Sequence, residues 1–253
     1  MQTAKWLAFG AGVALAIGLI AWTGAGEVAD ATAAIGWGFL GHNIPPYNAA
    51  TPADELAAIY RDNGATMRIG FSVGILACAF MVPWVVSLFR IMLAMEGGRL
   101  MLPLLQLAGG LLTVCVPMFS CVILLAAAFR PEQDPAITRM LFDLGWLTID
   151  MVWGVTTLQY IAFGAVVLRD QRSQPLFPRW MAWLGIFLGL EFVLEFIMPH
   201  LRSGPFSWSG VFNYWLPFFG PFVWMILTLV YMLKATNRLE QEHATSAEPV
   251  PAA

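Results

Sequence analysis

The stretch Leu100–Phe129 decides the fold; it reads LMLPLLQLAGGLLTVCVPMFSCVILLAAAF and contains no charged residue. As an α-helix it would be about 45 Å long, at about 1.5 Å per residue. The hydrocarbon core of a bilayer is about 30 Å thick, and about 20 apolar residues suffice to cross it. The stretch therefore predicts a membrane-spanning helix.

Five further segments have the length and the apolar composition of a spanning helix. They are Trp6–Trp22, Met67–Phe89, Ile137–Leu168, Trp180–Met198 and Val211–Leu233. We therefore predict an all-α fold, a polytopic bundle of six transmembrane helices. The alternative for the first segment is a cleaved secretory signal, because Lys5 precedes it and Thr23, Gly24 and Ala25 follow it.

The composition agrees with a membrane protein and excludes other classes. Apolar residues make up 59% of the 253 residues and charged residues only 11%, against roughly 25% charged in soluble domains. The net charge of −3 gives no basic surface for nucleic acid, so we expect no such partner. We predict one membrane domain over residues 1–239 and a disordered tail over residues 240–253.

The distribution of Lys and Arg predicts the orientation. Eight basic residues lie on the side of the N-terminus and five on the other side. The first group is Lys5, Arg90, Arg99, Arg169, Arg172, Arg179, Lys234 and Arg238; the second is Arg61, Arg68, Arg130, Arg139 and Arg202. This excess predicts a bacterial inner-membrane protein with both termini in the cytoplasm.

The long outer segment 26–66 predicts a short extra helix. Pro52 suits a first helical turn and Gly64 suits a helix stop, so the helix should cover residues 52–63. Trp37 and Phe39 before it have the amphipathic character of residues at the lipid headgroups. The segment is either a connecting loop packed on the bundle or a lid over a binding site.

Four carboxyl groups within the predicted spans are the most informative residues, because charge inside a membrane is costly. They are Asp143, Asp150, Glu191 and Glu195. Helical periodicity places Asp143 and Asp150 on one face, with Arg139 one turn before Asp143 for an ion pair. The same periodicity places Glu191 and Glu195 on one face.

The predicted topology concentrates polar residues in the outer half of the bundle. Besides the carboxyl groups and Arg139, this level holds Arg68, His200 and Asn213 at the ends of spans. We expect these eight residues to form the binding site, if the protein has one.

Three interpretations of these residues remain open. In the first, arginines and carboxylates hold helices together and the protein is a structural or accessory subunit without a ligand. In the second, an outward-facing polar site binds or transports a small molecule or a proton. In the third, Glu191 or Glu195 is the general acid or base of a membrane enzyme, although no nucleophile–base pair is visible.

The sequence predicts no metal and no cofactor. His42, His200 and Glu195 could in principle meet in space, but their spacing matches no metal-binding motif. No phosphate-binding loop or dinucleotide fingerprint occurs. The expected partners are the lipid bilayer and a small-molecule ligand, and the oligomeric state stays open.

Several stretches resemble an uncharacterised family of small bacterial multi-pass membrane proteins. They are ELAAIY at 55–60, MRIG at 67–70, AFRPEQDP at 128–135, LRD at 168–170, FPRW at 177–180 and GPFSW at 204–208. The resemblance implies a shared fold over most of the chain. It implies no activity and no catalytic residues, because none is established for such proteins.

Overall fold

The computed structural model describes Gly10, Gly12, Val13 and residues 37–247. Apart from Gly10, Gly12 and Val13, the predicted first span 6–22 lies outside the described residues. The alternative interpretation of this segment as a secretory signal lies outside them too. Residues 248–253 lie outside them as well.

The described part of the chain is helical and contains no strand. Its α-helices are α1 (Ala53–Met95), α2 (Met101–Phe129), α3 (Pro135–Asp150), α4 (Trp153–Arg169), α5 (Arg179–Glu191) and α6 (Leu216–Ala247). A 3-10 helix, Phe192–His200, continues α5, and a π-helical turn, Val211–Trp215, precedes α6.

Five helical stretches in the described residues are long and apolar enough to cross a membrane. They are Ala53–Met95, Met101–Phe129, Pro135–Arg169, Arg179–His200 and Val211–Glu242. Four of the five predicted spans from 67–89 to 211–233 lie within them, and the fifth, Leu100–Phe129, begins one residue earlier, so the prediction of a membrane-embedded helical protein is confirmed for this part. A sixth span is not among the described residues.

Helix α1 differs from the prediction of a short separate helix over 52–63. It continues without a break through Gly64 into the second predicted span. Gly64 is buried because α1 passes close to the end of α2: a Cβ on Gly64 would lie 3.6 Å from the Ala128 carbonyl oxygen. At 43 residues α1 is about 65 Å long, roughly twice the hydrocarbon thickness, so several turns extend beyond the membrane.

Close contacts at glycine join the helices of the bundle. A Cβ on Gly109 would lie only 2.7 Å from the Val155 carbonyl oxygen of α4, and one on Gly189 would lie 2.9 Å from Tyr160 Cβ. Small residues at such crossings let neighbouring membrane helices approach closely.

One end of the bundle is covered by two polar segments, residues 37–52 and 201–210, which we call the cap. Trp208 Nε1 donates to the Tyr47 carbonyl at 2.9 Å, and Asn48 Nδ2 donates to Ser209 Oγ at 3.3 Å. Tyr214 donates its hydroxyl hydrogen to the Asn43 carbonyl just below. The cap therefore closes this end, and its two segments hold each other.

Helix α6 extends into the stretch predicted to be a disordered tail. Helix α6 continues past Glu240 to Ala247. Residues 240–242 are Glu, Gln and Glu, which are good helix formers, and no proline follows before Pro249. The helix therefore runs eight residues into the stretch expected to be disordered.

Candidate functional site

A buried cavity of about 100 Å³ lies beneath the cap. Its polar lining comes from three separate elements: Asp150 ends α3, Glu195 lies in the 3-10 helix, and Asn213 and Tyr214 lie in the π-helical turn. Asp150, Glu195 and Asn213 are only 3–6% exposed. The cavity thus gathers polar groups from positions 63 residues apart along the chain.

Every element that supplies these groups departs from the α-helix at that point. The span Pro135–Arg169 breaks after Asp150, and α4 begins at Trp153. The span Arg179–His200 changes from α to 3-10 after Glu191, and Asn213 belongs to a π-helical turn. Long 3-10 runs and π-helical turns are uncommon and are frequently found at functional sites. No proline lies at the break after Asp150, so the sequence does not predict this break.

The segment after Glu191 is a 3-10 helix rather than an α-helix. A 3-10 helix has about three residues per turn, so the α-helical periodicity from which the shared face of Glu191 and Glu195 was expected does not apply there. Glu195 lines the cavity, whereas Glu191 does not. Glu191 is 5% exposed, and neither carboxyl oxygen has a hydrogen-bond partner in the part of the chain that the structure describes.

Asp143 and Arg139 form the predicted ion pair, but outside the cavity. Arg139 Nε lies 3.0 Å from Asp143 Oδ1. The two terminal nitrogens of Arg139 also donate to the carbonyl oxygens of Ala49 and Thr51. Arg139 therefore fastens the cap to α3, and Asp143 holds Arg139 in place.

Arg68 and His200 also lie away from the cavity. Arg68 Nη1 donates to the Ala128 carbonyl at 3.0 Å, one of the carbonyl groups at the end of α2 that lack a partner within the helix. His200 ends the 3-10 helix and is exposed, with its ring 6.3 Å from that of Phe196. Of the eight predicted residues, the cavity brings together Asp150, Glu195 and Asn213.

The sequence missed an aromatic box around the cavity, formed by Trp37, Trp146, Tyr214 and Phe218. Their ring centroids follow one another at 5.9 Å, 5.9 Å, 5.4 Å and 5.7 Å, which closes a circuit. All four residues line the cavity. Trp37 is 1% exposed, so the expectation that it sits among lipid headgroups is wrong: as part of the cap it packs against Trp146 and faces the cavity.

Several polar atoms around the cavity lack protein partners in the described residues. They are Asp150 Oδ2, Trp146 Nε1 and both amide atoms of Asn213. Buried polar atoms are nearly always hydrogen-bonded in native proteins, and a cavity of this size has room for several water molecules or a small ligand. Among the residues that the structure describes, no basic one lines the cavity, so within this part of the chain the two carboxyl groups have no counter-charge there.

A second, mainly apolar cavity of about 170 Å³ adjoins the first. The two share Ile149, Phe192, Pro217 and Phe218 in their walls. On the far side Gln159 Nε2 donates to Thr113 Oγ1 at 3.3 Å, and Thr113 Oγ1 lies 3.0 Å from Thr156 Oγ1. The remaining walls are mostly hydrophobic, so this cavity suits an apolar group with a polar patch at one side.

His42 and Tyr47 are titratable groups of the cap outside the spanning helices. Partial burial lowers the pKa of His42 and raises the pKa of Tyr47. In both cases burial favours the neutral form. The cap is thus most stable when His42 carries no charge.

Among the described residues, no three His, Cys, Asp or Glu side chains lie close enough to hold a metal ion. Comparison with family models, with curated proteins and with solved structures finds no match for this chain. Function must therefore be argued from the geometry of the cavity.

Proposed function

We propose that this chain is a bacterial inner-membrane protein that binds a small positively charged solute or a proton between Asp150 and Glu195 and transfers it across the membrane. The predicted orientation, with cytoplasmic termini, would place the cap outside. The solute would reach the cavity from that side.

The observation that carries this proposal is the pair of buried carboxyl groups in a cavity that no basic residue of the described part of the chain lines. A buried carboxylate without a counter-charge is strongly unfavourable, so such groups occur where they serve protons, ions or substrates. A proton or a cation bound between Asp150 and Glu195 would supply the missing charge. Asp143, which has Arg139, does not need one.

The helix breaks support a cation rather than an anion. At the break after Asp150 the last carbonyl groups of α3 lose their helical partners. In transporters with discontinuous helices, unwound carbonyl groups and half-helix ends near the bilayer centre coordinate cations. The residues that line the cavity supply the carboxyl oxygens of Asp150 and Glu195 and the amide oxygen of Asn213 as acceptors.

Transfer would require the cap to open. Its closing contacts include the hydrogen bonds from Arg139 to Ala49 and Thr51, from Trp208 to Tyr47 and from Tyr214 to Asn43. The rings of Trp37 and Trp208 also pack against Trp146, so opening would have to separate these rings as well.

The test is proton flux into proteoliposomes that carry a pH-sensitive dye and a valinomycin-imposed potassium potential. We expect the wild-type protein to acidify or alkalinise the lumen faster than protein-free liposomes. Asp150→Asn and Glu195→Gln should reduce the flux to the protein-free level. Asp143→Asn is the matched control, since it neutralises a carboxyl of the same helix outside the cavity, and should retain the flux.

Two results would contradict transfer of a proton. If all four proteins behave as protein-free liposomes, the protein does not transfer protons, and only a cationic solute is left as its cargo. If Asp143→Asn loses as much as Asp150→Asn, the effect is not specific to the cavity. A common loss of thermal stability in the Asp150 and Glu195 variants would favour a structural subunit without a ligand.

A further inference from the structure

We infer that the occupant of the site is an organic ammonium ion, with its charged nitrogen beside Asp150 and Glu195 in the cavity that the aromatic box lines and its apolar body in the adjoining cavity. This inference rests on the proposed function and names the class of solute. It is carried by the conjunction of the box, the two carboxyl groups and the apolar cavity.

The aromatic box supplies the recognition of a cation with weak hydration. The faces of Trp, Tyr and Phe attract cations within about 6 Å, and cages of such rings bind quaternary and alkylated ammonium groups. Trp37, Trp146, Tyr214 and Phe218 all line the cavity that holds Asp150 and Glu195. Rings alone would suit any apolar group, and carboxyl groups alone any cation; together they suit an ammonium group that carries carbon substituents.

Inorganic cations fit the site less well. Ca²⁺ takes about six to eight oxygen ligands, and Mg²⁺ demands a near-octahedral set. The side chains that line the cavity provide two carboxyl groups, one amide and one phenol. The four large aromatic residues around these groups occupy the positions in which the remaining ligands of a metal ion would have to lie.

The adjoining cavity explains where the rest of the molecule would lie. It shares Phe218 and Phe192 with the first cavity, and its walls include Met81, Val114 and Met225. Its exposed lining is largely apolar, whereas a site built for a proton or a bare ion has no use for such a space. The polar patch of Thr113, Thr156 and Gln159 at its far side would accept a hydroxyl or a similar group.

The test is equilibrium binding, by titration calorimetry, to the full-length protein in nanodiscs with three probes. They are phenethylammonium, methylammonium and the neutral alcohol 2-phenylethanol. Phenethylammonium should bind at least roughly tenfold more tightly than either other probe, because only it uses both the carboxyl groups and the apolar cavity.

Three variants separate the contributions. Asp150→Asn with Glu195→Gln should remove the preference for phenethylammonium over 2-phenylethanol. Phe218→Leu, which removes one ring face and keeps an apolar side chain, should weaken phenethylammonium by roughly threefold to thirtyfold. Val114→Phe, which narrows the apolar cavity, should weaken the binding of phenethylammonium and leave the binding of methylammonium unchanged. Asp143→Asn should bind as the wild type does.

The outcomes are decisive in both directions. Equal binding of methylammonium and phenethylammonium would overturn the assignment of the apolar body, and equal binding of the neutral alcohol would overturn the ammonium group. If no amine binds while Asp150→Asn and Glu195→Gln still abolish proton flux, this inference fails and the proposed function stands. If there is neither flux nor amine binding, both fail.

Discussion

Asp143 and Asp150 lie two turns apart on helix α3, yet the tertiary structure treats them differently. Asp143 is partly exposed and sits 3.0 Å from Arg139, which also holds the cap. Asp150 is 6% exposed, and its Oδ2 atom has no hydrogen-bond partner in the described residues. The difference teaches that a carboxyl group with its own counter-charge serves the fold, whereas one left without such a partner in a cavity is available to a ligand.

The difference between Asp143 and Asp150 should disappear when Asp150 is given a counter-charge, as Asp143 already has. Asn213→Lys places an ammonium group in the cavity beside Asp150 and Glu195. Because like charges within a site repel by several kcal/mol, binding of phenethylammonium should weaken by more than about a hundredfold. Calorimetry in nanodiscs measures this, and Asn213→Met is the uncharged control. Undiminished binding in Asn213→Lys would refute the site.

The role of Arg139 as a fastener predicts the next largest effect. Arg139→Ala removes an ion pair and two charge-assisted hydrogen bonds to the cap, so the free energy of unfolding should fall by about 2–3 kcal/mol. Asp143→Asn removes only a partly exposed pair and should cost less than about 1 kcal/mol. Thermal melting in nanodiscs compares them. If the two variants lose equal stability, the bonds to Ala49 and Thr51 contribute nothing.

The two halves of the span Pro135–Arg169, helices α3 and α4, should also differ in how tightly their glycines are packed. A Cβ on Gly145 in α3 would lie 2.6 Å from Leu124 Cδ2, whereas one on Gly154 in α4 would meet nothing within 4 Å. Gly145→Ala should therefore destabilise the fold by about 1–2 kcal/mol, and Gly154→Ala should stabilise it by about 0.5–1 kcal/mol. Shifts of the melting temperature in opposite directions would confirm this. A lower melting temperature in Gly154→Ala would mean that the break needs glycine.

Neutralising Asp150 should be almost free of cost to stability. Asp150→Asn keeps the shape and removes a carboxyl group that has no counter-charge, so the free energy of unfolding should stay constant or rise by up to about 1 kcal/mol. The same melting experiment, at neutral pH and without amine, provides the measurement. A loss above about 2 kcal/mol would show that Asp150 is as structural as Asp143.

The smallest effect concerns the pH dependence of the cap. Because burial lowers the pKa of His42, the unfolded chain binds the proton more readily than the folded chain does. The stability from neutral His42 is complete above about pH 6.5 and is lost as the pH falls through the lower folded-state pKa.

His42→Asn provides the comparison for this pH effect. His42 has a φ of 56°, a left-handed conformation that asparagine also tolerates. Between pH 7.5 and 5 the melting temperature of the wild type should fall about 2 °C more than that of the variant. Parallel curves would exclude His42 as the titrating group.

Much of the fold could be predicted from the sequence, because it depends on local composition. The apolar run Leu100–Phe129 becomes α2, and Asp134 with Pro135 begins α3, where the Asp134 side chain accepts from the Ala136 amide at 2.8 Å. The ion pair of Arg139 with Asp143 follows from helical spacing alone. Gly64 was misjudged because a glycine at a helix crossing and a glycine at a helix end look alike in sequence.

Less of the site could be predicted, because it depends on departures from helical regularity. No residue pattern around Asp150 indicates that the helix breaks there. The 3-10 helix that carries Glu195 cannot be predicted from hydrophobic periodicity either. The aromatic box needs Trp37, from a segment expected at the lipid surface, to lie beside Trp146 and Phe218. Contacts over such separations leave no local pattern.

The sequence by itself determined that this protein is a bundle of apolar helices with four costly carboxyl groups among them. Hydrophobicity and charge act residue by residue, so their sum can be read along the chain. Only the tertiary structure decided which carboxyl groups serve the fold and which face a cavity. Counter-charge, burial and enclosure by aromatic rings are properties of neighbours in space, and the helix breaks choose those neighbours.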